Sequence, residues 1–188
     1  MIMNAFADIL NLAVQIFSFL LLIRLLLQLV QADFYNPISQ TIFKICAPIV
    51  EPLGKLFPTL GSLNSAALVA AIIVQWSFYL IVGLIKAVPL LGILAYLPLA
   101  AYNLLFILIE IYFWGIFIIA ISSWIGTTNH PSVRLISQLV EPYMRPFRKF
   151  IPPMGMMDFS PMVAIISLII IRNTVLPVIG GFIKSLLG

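Results

Sequence analysis

Four apolar segments, at about residues 9–30, 66–85, 100–124 and from Pro161 onward, decide where this chain can fold. A helix needs roughly 20 apolar residues to cross the ~30 Å hydrocarbon core of a bilayer, and each segment has about that length. Inside lipid no water is available to bond the peptide groups, so each segment must satisfy its own as an α-helix. Charged residues make up 9% of the chain and hydrophobic ones 63%, too polar-poor to coat a soluble domain, where about 25% charge is usual. The 188 residues therefore read as a single membrane domain of the all-α class with four transmembrane helices. Asp8 precedes the first segment without a basic residue, and the segment outruns a signal core of about 7 to 15 residues, so it is expected to stay as the first span. The stretch 87–98, AVPLLGILAYLP, would reach only about 18 Å as a helix and is expected to dip into the interface without crossing.

The connectors after the first and third spans are copies of one another. Pro37, Pro48, Pro52, Pro58 and Gly61 recur as Pro131, Pro142, Pro146, Pro152 and Gly155, all displaced by 94 residues. Lys55 matches Lys149, and Asn64 stands where Asp158 does. The chain thus divides into two parallel tandem repeats, 1–87 and 99–188, joined by an apolar interfacial link at 88–98. Within each connector Ile42, Ile45, Cys46 and Ile49, or Ile136, Leu139, Val140 and Tyr143, recur at steps of three and four. This spacing predicts an interfacial amphipathic helix lying flat, its apolar stripe in the acyl boundary and Lys44 or Arg134 turned to water. The prolines that follow are expected to force a Pro-rich return loop into the next span. Ser160 before Pro161 predicts a serine-capped entry to the fourth span. Its exit stays open: Pro177, Gly180 and Gly181 interrupt the pattern, leaving the last seven residues as an interfacial tail or the final turn of a broken helix.

Charge orients the whole. Lys44, Lys55, Arg134, Arg145, Arg148 and Lys149 lie in the connectors, against Lys86 and Lys184 near the opposite face. Cytoplasmic loops retain Lys and Arg, which places the connectors in the cytoplasm and both termini in the periplasm. The same six cations either set topology alone or also contact anionic lipids or a membrane protein partner.

The stretch EPYMRPFRKFIPPMGMMDFSP, residues 141–161, resembles the YggT family of small bacterial membrane proteins, called YlmG in other bacteria and plastids. The resemblance is carried by Pro142, Arg145, Pro146, Arg148, Pro152, Gly155, Asp158, Ser160 and Pro161, with Arg24 at the family's first-span arginine, and it extends over the full chain. The first copy departs from the pattern: Glu51 and Gly54 replace basic residues, and NSAA replaces Asp-x-Ser-Pro. What the resemblance implies is multi-pass residence in the bacterial inner membrane and a role in tolerance of osmotic or envelope stress, with ion flux as one route. Similar plastid proteins are linked to assembly of a membrane cytochrome complex and to nucleoid partitioning.

Ionisable groups at membrane depth are costly and mark sites, and three qualify here: Arg24, Glu110 and Arg172. Equal depth in neighbouring spans predicts a Glu110–Arg172 pair, serving as a tie between helices or as part of an ion or proton path; should the last helix end early, Glu110 turns to Arg24 or to a proton. Asn11, Gln15 and Ser18 mark one face of the first span, and Asn103 and Glu110 one face of the third, suited to hydrogen bonds between helices. A conduit through spans this few would need a homo-oligomer. His130 before Pro131 is expected at a helix entry or on the surface. No catalytic, cofactor-binding or metal-ligating set emerges, since one Cys and one His cannot build one without borrowed ligands. Nor is there a soluble basic surface for nucleic acid. The reading is a non-enzymatic membrane factor acting through lipid or partner contacts at the cytoplasmic face; the alternative is a small oligomeric ion channel or transporter lined by the intramembrane charges.

Overall fold

The computed structural model describes residues 2–127, 130–151 and 158–187. The described elements are helical: α1 (Ile2–Leu29), α2 (Pro37–Gly54), α3 (Ser65–Ile85), the short α4 (Leu90–Leu94), α5 (Leu97–Ile125), α6 (Pro131–Phe150), α7 (Ser160–Ile170) and α8 (Leu176–Leu187), the last two joined by a π-turn at Ile171–Val175. Four helical segments are long and apolar enough to cross a membrane: Asn4–Leu29, Ser65–Ile85, Gly92–Ser123 and Ser160–Leu187. They match the segments read from the sequence.

Each repeat is a hairpin of two spans with its connector helix packed across one end. In the first repeat α1 lies against α3, and α2 packs on both; in the second α5 lies against α7, and α6 packs on both. The repeats meet where α5 contacts α1 and α3. Ala66, Ala67, Ala70 and Ala71, all buried, put small side chains along one face of α3 and let α1 approach closely.

The connector helices begin alike. Asn36 Oδ1 accepts the Ile38 amide at 2.9 Å to start α2, and His130 Nδ1 accepts the Ser132 amide at 3.3 Å to start α6. Each cap precedes a proline in the first turn, where a missing amide hydrogen costs nothing. The entry to α2 touches α6 at one end of the bundle: the Asp33 amide donates to Gln138 Oε1 at 3.1 Å, and Asn36 Nδ2 donates to the Pro131 carbonyl at 3.1 Å.

Three local expectations are overturned. Pro48 and Pro52 lie inside α2, and Pro142 and Pro146 inside α6, so these prolines do not open return loops. All four sit on the exposed side of their helices, where the carbonyls left without an amide partner can be solvated, and the four-residue spacing keeps the defects on one side. The apolar stripe lies where the spacing put it, apart from Ile45, but its cover differs from the expected one. Ile42, Cys46 and Val50, and Leu135, Leu139, Val140 and Met144, are buried against the spans, whereas Ile45 is 45% exposed. Protein, not the acyl boundary, covers the stripe.

Ser160 does not cap the fourth span. Its hydroxyl donates to the Ile151 carbonyl at 3.1 Å, while Asp158 Oδ1 accepts the Ser160 amide at 2.9 Å, and α7 starts without a side-chain cap. The exit left open is helical: the π-turn immediately before Pro177 absorbs the missing hydrogen bond, and the helix runs on to Leu187.

Candidate functional site

Near mid-span, Glu110 of α5 and Arg172 of the π-turn form an ion pair, Nη1 to Oε1, at 2.8 Å. Trp114, one turn further along α5, donates its indole N–H to Glu110 Oε2 at 3.1 Å, and the Arg172 guanidinium lies 5.6 Å from the centre of the Phe106 ring. The two side chains are 22% and 39% exposed, so the pair faces the surroundings of the bundle and neutralises itself there. A cavity of about 540 Å³ between α1 and α5 reaches Glu110, with Gln15, Asn103, Phe19 and Phe106 among its walls.

Of the polar residues marked on the span faces, Ser18 and Asn103 join helices, whereas Gln15 and Asn11 bond each other within α1. Ser18 donates to Gln75 Oε1 at 3.0 Å in the buried contact of α1 with α3. Asn103 donates to the Tyr79 hydroxyl at 2.9 Å, and Gln15 to Asn11 at 3.3 Å. Arg24 is remote from Glu110: it donates to the Phe43 carbonyl at 3.1 Å and stacks over the Phe43 ring at 4.9 Å, tying α1 to α2. Cys46 is fully buried beside it, and burial pushes its thiol above the ordinary range, with the nearby guanidinium pulling the other way.

At the connector end the six cations part ways. Lys44, Lys55, Arg134, Arg145 and Lys149 are exposed and, among the described residues, pair with no carboxylate. Arg148 is engaged: it bonds Glu141 one way and reaches Asp158 Oδ2 at 3.4 Å the other. Together Arg148, Asp158 and Ser160 close the passage from α6 into α7, so the resemblance's basic and Asp-x-Ser-Pro elements meet as a latch. Pro161 is buried in the first turn of α7; Pro152 and Gly155 lie outside the described residues. In the first copy Gly54 stands for Arg148 and Asn64 for Asp158, so both members of the pair are absent together. Asn64 instead caps α3 through the Ala67 amide and bonds Gln28 of α1 at 2.8 Å.

Several partners escaped the sequence reading. Trp114 follows Glu110 by four residues and Glu141 precedes Arg148 by seven, both helical spacings that carry a signal. Gln75, a lone amide inside an apolar span, carries another. The contact of Asp33 with Gln138 joins residues 105 apart and has no local signal.

The family model described as CCB3/YggT matches the chain twice, over residues 3–85 and 98–179. The protein titled uncharacterized protein YggT of Escherichia coli K12 is 33% identical over 181 residues, 94% of this chain and 92% of that one. An uncharacterized protein of Pseudomonas aeruginosa is 33% identical over 86% of this chain and 83% of its own, and one of Haemophilus influenzae is 32% identical over 87% of each. No solved structure matches the chain.

Proposed function

The chain belongs to the CCB3/YggT family, and from that premise we propose that it is a non-enzymatic membrane factor whose connector end engages anionic lipid headgroups. The observation that carries this reading is the set of exposed cations without carboxylate partners, Lys44, Lys55, Arg134, Arg145 and Lys149, gathered at one end of four apolar spans. Each such residue near an acidic leaflet contributes about 1 kcal/mol of attraction, so several acting together hold that end firmly at the headgroups. In this reading α2 and α6 lie along the cytoplasmic leaflet of a bacterial inner membrane and both termini are periplasmic. Tolerance of osmotic or envelope stress follows if the contact stiffens the bilayer or recruits a partner when lateral tension changes.

Nanodiscs of phosphatidylcholine with and without phosphatidylglycerol test the reading. The anionic lipid should raise the melting temperature, and changing Lys44, Lys55, Arg145 and Lys149 to Gln should remove that rise. A rise that survives all four changes sinks the proposal. A strain lacking the protein should lose viability after osmotic upshift and regain it with the wild-type chain but not with the fourfold variant.

A second reading, an ion path through an oligomer, rests on the Glu110 carboxylate at the wall of the α1–α5 cavity. Proteoliposome flux that disappears in Glu110→Gln, with the fold intact, would replace the first reading by this one.

A further inference from the structure

Where the two repeats meet at the connector end, a second cavity of about 540 Å³ holds one acid and one base that do not pair with each other. Asp33, just past the end of α1, and Arg134, in the first turn of α6, both line it and both are exposed. Asp33 Oδ1 accepts the Tyr35 amide at 2.9 Å, which leaves Oδ2 without a bond among the described residues. The Arg134 guanidinium has no acceptor among them either. Ser137 and Gln138, one turn beyond Arg134, line the same wall, and Gln138 already gives its oxygen to the Asp33 amide at 3.1 Å, which frees its amide hydrogens. Ile119 and Val133 supply the apolar side.

We propose that this cleft is a binding site for the zwitterionic phosphoethanolamine headgroup of a membrane lipid. Opposite charges that share a cavity without meeting suit a ligand that bridges them. The guanidinium, with Ser137 and the Gln138 amide, takes the phosphate as a charge-assisted contact, and Asp33 Oδ2 takes the primary ammonium. The depth agrees, because the cleft lies at the ends of the spans where headgroups begin. A choline headgroup carries the same charges but no N–H donor, and a glycerol headgroup has no cation, so each forfeits the Asp33 contact. Neither charge recurs at the equivalent place in the 94-residue register: Gln40 of the first copy stands for Arg134, and Thr127 of the second copy stands for Asp33. The site therefore belongs to the junction and arises once. It shares with the proposed function only the placement of the connector end at the headgroups.

Short-chain dihexanoyl lipids, titrated into the purified full-length protein and read by native mass spectrometry and melting temperature, test it. Dihexanoyl phosphatidylethanolamine should bind about tenfold more tightly than the choline lipid, the worth of one hydrogen bond to a charged group. Asp33→Asn, which keeps the oxygen that holds Tyr35, should abolish that preference while leaving phosphatidylglycerol binding unchanged. Arg134→Gln should weaken all three lipids. Equal binding of the ethanolamine and choline lipids, or a preference unchanged in Asp33→Asn, overturns the inference. Those outcomes leave the fourfold Lys and Arg variant free to pass or fail on its own.

Discussion

A single charge pair sets the terms for the middle of the bundle. Removing Glu110 alone leaves the part-exposed Arg172 guanidinium without its counter-ion at mid-span, a cost of about 2.5 to 3.5 kcal/mol for an arginine at the centre of a helix in lipid. Glu110→Leu should therefore lower stability by about that amount in bicelle unfolding, and Glu110→Leu with Arg172→Leu should recover most of it. A double variant as unstable as the single one would assign the loss to packing. Cys46 makes a second residue-scale case. Burial holds its folded pKa above the unfolded value, so its share of stability is intact below about 8.5 and is lost as pH rises from there toward the folded pKa. Maleimide should leave the folded protein unmodified at neutral pH and label it in dodecyl sulfate. Cys46→Val, the residue that Val140 supplies at the matching place, should change stability by less than about 1.5 kcal/mol and should lose less stability than wild type between pH 8 and pH 10.

Helix against helix, close approach is set by glycine. A Cβ on Gly115 would meet Val140 at 2.6 Å, and one on Gly180 would meet the Tyr102 ring at 2.9 Å, whereas one on Gly181 would meet nothing within 4 Å. Gly115→Ala should push α6 from α5 and lower stability by about 1 to 2 kcal/mol, since overpacking outweighs the helix propensity gained. Gly181→Ala should be neutral or stabilising, and equal effects at both positions would refute the packing account. At this scale the sequence was a good guide to existence and a poor one to detail. Hydropathy found the spans because membrane depth demands long apolar helices, and depth alone brought Glu110 to Arg172. Proline was misread because a helix tolerates it on a solvated side, which no local pattern declares. The spacing on α2 and α6 located the stripe but not its cover, which is two spans of the same chain. The latch of Arg148 with Asp158 was missed because its two sides meet only after the chain turns from α6 into α7.

As a whole the molecule is two hairpins clasped at their connector ends. The bonds from Asp33 to Gln138 and from Asn36 to Pro131 put both connectors on one side, so single cysteines at Lys55 and Lys149 should react with an impermeant reagent from the same face, and those at Lys86 and Lys184 from the other. Opposite reactivity of the first two would break the fold as described. The cleft between the repeats was not legible beforehand, because Asp33 and Arg134 are separated by a whole repeat and carry no shared motif. That clasp has a consequence for how such a chain could arise. Each half presents to the other donors, acceptors and span faces that complement it, so two separately made halves should find one another in the bilayer. Fusion of a duplicated gene would then have made permanent a partnership that was once bimolecular.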